Sequence, residues 1–148
     1  MQPSTDVNGL VQRAALLQRL REFFALRQVL EVQTPLLAPN TVTDPDVESV
    51  AVPGYGFLQT SPEYQMKRLL AAGAPSIYQL ASAFRHEEVG RLHNSEFTML
   101  EWYRLDFDHS QLMNEVVDLV NEVLGPASYT TVTYTELVGE LGRPRDEL

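Results

Sequence analysis

The stretch Phe84-Arg85-His86-Glu87-Glu88-Val89-Gly90-Arg91-Leu92-His93-Asn94-Ser95-Glu96-Phe97-Thr98-Met99-Leu100-Glu101-Trp102-Tyr103-Arg104 decides how the rest of the chain is read. Residues 97–103 mix large apolar side chains with polar ones in the manner of a half-buried strand. Upstream, residues 77–84 form a second β-prone run. The polar loop 85–95, with Gly90 in it, then joins the two as a long hairpin. A solvated hairpin explains surface ion pairs worth about 0–1 kcal/mol each. It does not explain Glu101 and Tyr103, or Glu63 upstream, which lie among apolar residues that should face a core. A carboxylate there is costly unless something compensates it.

Outward from the hairpin, Ser61-Pro62-Glu63 reads as a helix start: Ser as N-cap, Pro at the first helical position, an acid in the first turn. Tyr64, Lys67, Arg68, Leu69 and Leu70 carry that helix to Gly73. Residues 8–28 form an amphipathic helix with Leu10, Ala14, Leu17, Leu20 and Phe24 on one face, capped by Asp6 or Asn8. A β-prone run at 29–32 follows and runs into Pro35, after which Pro39, Asn40, Thr43, Asp44 and Pro45 mark a loop. Strands are expected at 48–52 and 57–60 around the turn Pro53-Gly54-Tyr55-Gly56. Asp108 or Ser110 opens a helix ending at Gly125-Pro126. A short strand at 131–133 and a helix at 136–141 complete the reading. Hairpins mixed with helices make the fold α+β.

The chain has 148 residues, 44% of them hydrophobic and 21% charged, enough for a packed core without staples. It has no cysteine, which excludes thiolate catalysis, disulfides and Cys-based zinc sites. With no basic, apolar leader and no run of about 20 apolar residues, a cytoplasmic location is the expectation. Net charge is −9, from 11 Lys and Arg against 20 Asp and Glu, which argues against a broad nucleic-acid or membrane surface. Between residues 61 and 104 five cations balance five anions, so the acidic excess lies elsewhere. A locally cationic site suits a small anionic ligand. The only lysine, Lys67, sits in a helix without preceding glycines, so there is no phosphate-binding P-loop. His86, His93 and His109 lack zinc-ligand spacing, and no metal ligands are assigned.

Phe84-Arg85-x-Glu87, then Arg91-x-His93-Asn94-x-Glu96-Phe97-Thr98 and Glu101-x-Tyr103, resembles the second signature motif of class II aminoacyl-tRNA synthetases of the lysyl type. Thr60-Ser61-Pro62-Glu63 with Lys67-Arg68-Leu69-Leu70 matches the same subgroup. Leu30-Glu31-Val32-Gln33-Thr34-Pro35 is similar to the first motif, which the class uses to dimerise. Met99-Leu100-Glu101-Trp102-Tyr103-Arg104 is most similar to the short branch that acts on elongation factor P.

The resemblance implies an antiparallel sheet flanked by helices and the activation of a lysine-type amino acid by ATP and Mg²⁺. It implies that Arg85 grips the α-phosphate as the catalytic residue, Glu87 accepts from the adenine amino group, and Phe97 stacks on the adenine. Asn94, Arg91 and His93 would reach the nucleotide or its outer phosphates. His86 stands where close relatives often carry asparagine. Ser61, Pro62 and Glu63 would line the amino-acid pocket, with Glu101 and Tyr103 recognising ammonium groups. Elongation factor P would be the acceptor in place of tRNA, and a homodimer is implied.

The magnesium-holding acidic strand and the glycine-rich third motif of that class are not found. Arg143 and Arg145 lack the context to replace the latter. Residues 1–148 are therefore expected to be the N-terminal portion of one such catalytic domain, with an incomplete sheet and no anticodon-binding domain, and weak or inactive alone. A lysyl-tRNA synthetase fragment and a non-catalytic dimerisation or amino-acid-binding module remain as alternatives.

Overall fold

In the computed structural model, which describes residues 5–86, 90 and 93–140, helix α1 (Val7–Leu26) begins at Asp6. The Asp6 carboxylate accepts the Gly9 N–H at 2.8 Å, the usual use of an N-cap acid. The helix ends on Gln28, whose φ of 55° is left-handed. Gln28 N–H bonds the Ala25 carbonyl and Val29 N–H bonds that of Phe24, a Schellman closure built without glycine. Only Leu20, Phe23 and Phe24 of α1 are buried, so the apolar face is shorter than its spacing predicts. Leu10 is exposed, as is Ala14.

Beyond Val29 the chain enters β1 (Leu30–Glu31), which pairs parallel with the start of β5 (Ile77–Phe84). β5 pairs antiparallel along its whole length with β6 (Glu96–Tyr103), from Ile77 opposite Tyr103 to Phe84 opposite Glu96. The expected antiparallel sheet is thus mixed, in the order β1-β5-β6, because β1 returns beside β5 through a long crossover. A second, antiparallel sheet has the order β2-β4-β3: β2 (Leu37–Ala38), β3 (Ala51–Val52) and β4 (Gly56–Leu58). β2 lies between Pro35 and Pro39, where no strand is expected. Gly56 makes the pairing possible, because a Cβ there would stand 2.3 Å from the Ala38 carbonyl oxygen.

Helix α2 (Glu63–Ala71) follows β4, and α3 (His109–Leu124) follows β6. Asp108 and Gln111 form a reciprocal capping box at the start of α3. The strand expected at 131–133 is absent. Thr133 instead caps α4 (Tyr134–Glu140), its side-chain oxygen accepting from Glu136 N–H while its own N–H bonds the Glu136 carboxylate at 2.7 Å. Among the described residues no helix is long and apolar enough to cross a membrane.

The core lies between the sheet and α1 and α3: Leu20, Phe23, Phe24, Val29, Tyr78 and Leu119, with Leu80, Leu100 and Trp102 against it. Phe24 is fully buried and stacks on Tyr78 at 4.4 Å between ring centroids. Tyr78, Leu80, Leu100 and Trp102 therefore face the helices. Alternation turns Gln79, Ala81 and Ala83, with Phe97, Met99, Glu101 and Tyr103, to the opposite face. That face carries the candidate site.

Tyr78 also reaches Glu31, donating to its carboxylate at 2.9 Å. Burial and that carboxylate push the phenol up to about 12. The folded protein thus holds its proton more tightly than the unfolded chain, whose tyrosine titrates near 10. This contribution is intact below pH 10 and disappears as the pH rises towards about 12. Urea midpoints should accordingly fall across that window, in step with tyrosinate absorbance.

Candidate functional site

One end of the open face is organised around the Glu101 carboxylate. Ser61 Oγ donates to its Oε2 at 2.7 Å, and the Tyr103 hydroxyl donates to its Oε1 at 2.6 Å. Ser61 was expected to cap α2 directly. Pro62 occupies the N-cap instead, and Ser61, one residue earlier, accepts the Glu63 N–H at 3.0 Å while giving its own hydrogen to Glu101. The serine thus fixes the helix start and the acid together. Glu101, Tyr103, Ser61 and Glu63 are half-buried, and Pro62 is buried.

The Tyr103 phenol is held far above its ordinary value, first by burial and then by its hydrogen bond to Glu101 and the charges of Glu101 and Glu63. It stays protonated and remains a donor at any physiological pH. At the rim, Lys67 pairs with Glu63 one turn earlier, which raises the exposed ammonium's pKa.

Four residues back along β6, about 13 Å at strand rise, Phe97 lies on the same face. The Arg85 guanidinium carbon stands 5.2 Å from its ring centroid. Arg85 leaves β5 with its N–H bonded to the Ser95 carbonyl at 2.9 Å, which places the cation at the mouth of the hairpin. A fixed planar cation over an aromatic ring on a half-buried sheet face is suited to a phosphate attached to a flat base. His86 turns aside: its N–H bonds the Glu48 carbonyl, and Nδ1 lies 3.3 Å from Glu48 Oε2. His93 and Asn94 are exposed on the loop, His93 bridging by backbone to Gly90. Glu87 and Arg91 lie outside the described residues, as do Arg143 and Arg145.

The structure therefore unites Ser61, Pro62, Glu63, Glu101 and Tyr103 at one end of the face and Arg85 with Phe97 at the other. Sequence reading missed Glu48, for which no local signal exists. It also missed Glu115, a buried acid one turn before Leu119 on α3, where its place on the apolar stripe could have drawn notice. Among the described residues no group of three or more His, Asp or Glu is placed to hold a metal ion.

The profile of the class II tRNA synthetases (D, K and N) matches residues 5–142. An elongation factor P–(R)-β-lysine ligase of Vibrio cholerae is 52% identical over 143 residues, 90% of this chain and 44% of that relative. Proteins of the same name from an Enterobacter species and from Photobacterium profundum are 49% and 46% identical, over 92% and 95% of this chain. The chain spans under half the length of these relatives, 44–47%.

Proposed function

Because the chain belongs to the class II tRNA synthetase family (D, K and N), we propose that its open sheet face binds ATP and a lysine-type amino acid. There it serves an aminoacyl-adenylate-forming ligase whose acceptor is a lysine of elongation factor P. One observation carries the reading. A carboxylate held by two hydroxyl donors and an arginine poised over an aromatic ring share one sheet face, about 13 Å apart at strand rise. The names of the relatives support the choice of substrate and acceptor.

The amino-acid carboxylate oxygen attacks the α-phosphorus, the bond from that phosphorus to the bridging oxygen breaks, and pyrophosphate leaves. An acceptor lysine amine then attacks the acyl carbon, releasing AMP and a proton. The first step demands no acid or base from the protein, so position and charge dominate it; in the second, the proton released by the amine passes to solvent. Arg85 neutralises the α-phosphate as negative charge builds, Phe97 stacks on the adenine, and Glu87 accepts from its amino group. Arg91, His93 and Asn94 serve the nucleotide from the loop, whereas His86, expected there too, is turned to Glu48 by its N–H and its ring. Ser61, Pro62 and Glu63 line the amino-acid pocket, while Glu101 and Tyr103 receive the ammonium groups. Mg²⁺ would supply charge neutralisation for the phosphates, but among the described residues no group of three or more His, Asp or Glu is placed to hold it, so no step here depends on one. Residues 1–148 belong to one catalytic domain, and the homodimer and an open sheet edge are parts of the same reading.

Equilibrium dialysis tests the proposal. ATP should bind and tighten the binding of lysine or (R)-β-lysine, but not of glutamate. A chain that retains neither ATP nor either lysine isomer refutes it.

A further inference from the structure

On the open face β5 presents Gln79, Ala81 and Ala83. The two alanines oppose Met99 and Phe97. Gln79 is different: long, polar, 1% exposed and directly opposite Glu101. Its Oε1 is buried without a hydrogen-bond partner. Such an oxygen has lost water and gained nothing, a state that native interiors rarely leave unanswered.

The surroundings explain what could answer it. β1 stays with β5 for two residues only, its last bond running from Val32 N–H to the Tyr78 carbonyl, and the edge of β5 is covered again where Phe84 N–H meets the Gln59 carbonyl. Between these points a cavity of about 250 Å³ opens, lined by Gln33, Thr34, Leu36 and Gln79. Thr34 Oγ1 is also buried there and unpartnered. The missing partner of Gln79 is a donor, beside a carboxylate whose two oxygens each already accept one hydroxyl. An ammonium brings three hydrogens and a charge, more than Glu101 alone can receive in this setting.

We propose that Gln79 is a specificity-determining residue of the amino-acid pocket, its amide oxygen accepting a hydrogen from the same substrate ammonium that Glu101 holds. The proposal rests on the functional reading above. It adds a neutral acceptor to the charged one, so that the pocket selects a multi-donor cation over an apolar side chain of equal length.

The test is an NMR titration of wild type and Gln79→Met with ATP, lysine, norleucine and 6-aminohexanoate, the last two each lacking one ammonium of lysine. Gln79→Met keeps the length and removes the acceptor. It should weaken lysine about tenfold, the scale of a hydrogen bond to a charged group. It should also erase the preference for lysine over norleucine and leave ATP binding unchanged. In wild type, the Gln79 carboxamide resonances should move with lysine and stay still with ATP alone, a readout that survives if the variant does not fold. Unaltered preferences in a folded variant, or a carboxamide that ignores lysine because it bonds only a buried water, overturn the assignment. Wild type that binds ATP but no lysine overturns the functional reading, and the assignment with it.

Discussion

Glu101→Gln should weaken the binding of a lysine-type amino acid by about 100-fold while leaving ATP binding within about twofold. The first number follows from replacing a charge-assisted contact, worth about 1.5–3 kcal/mol, in a half-buried setting. Geometry adds to it. Glu101 accepts from both Ser61 and Tyr103, one on each oxygen, so an amide must turn its own N–H groups towards one of these donors. The lost bond also frees the start of α2, since Ser61 holds Glu63 N–H through the same oxygen. ATP binding should be spared because Phe97 lies four residues along the strand and Arg85 stands over its ring at that same end. Titrations of the two ligands separately check both halves of the expectation. Equal weakening of both would mean that the substitution disturbs the whole face and not one pocket.

Glu115→Ala should cost about 3–5 kcal/mol of folding stability, the price of leaving a buried charge without its partner. Glu115 is 5% exposed. It accepts the Trp102 indole N–H at 3.0 Å and lies 3.3 Å from Arg104 Nε and 3.8 Å from Arg27 Nε. These four residues come from the end of α1, the end of β6 and the middle of α3, so one carboxylate ties the three elements behind the site. Arg104 is the cation left most enclosed when the acid is removed, its side chain 13% accessible against 30% for Arg27. Small domains are stable by about 5–15 kcal/mol in total, so the loss would be a large fraction. Urea unfolding measures it. The double variant Glu115→Leu with Arg104→Met should recover most of the loss, because an apolar pair has no unmet charge. A double variant as unstable as the single one would show that the ion pair is not the cause.

What could be read from the sequence follows how local the signal is. β5 spans the expected residues, and α3 ends where Gly125 and Pro126 stop it, because propensity and capping act over a few residues. β2 could not be foreseen: its pairing depends on the approach of Gly56 to Ala38, eighteen positions away. The parallel pairing of β1 with β5 joins residues more than forty apart and leaves no trace in two residues of strand. Residues 131–133 have strand propensity, but Thr133 gains more as a helix cap. At the site, residue types were legible and contacts were not. Glu101 and Tyr103 stood out as polar groups in apolar company, while the Ser61 link to Glu101 spans forty residues. Gln79 carries no mark in the sequence, because the lack of a donor at its oxygen arises only from the fold.

The most direct measurement is a calorimetric titration of the chain with a non-hydrolysable lysyl-adenylate analogue, beside the same analogue without its lysyl group. Saturable binding at one site per chain is expected, at least tenfold tighter with the lysyl group present, with loss of that advantage in Glu101→Gln. Absence of saturable binding, or equal binding of the two analogues, would contradict the placement of both substrates on the face of β5 and β6.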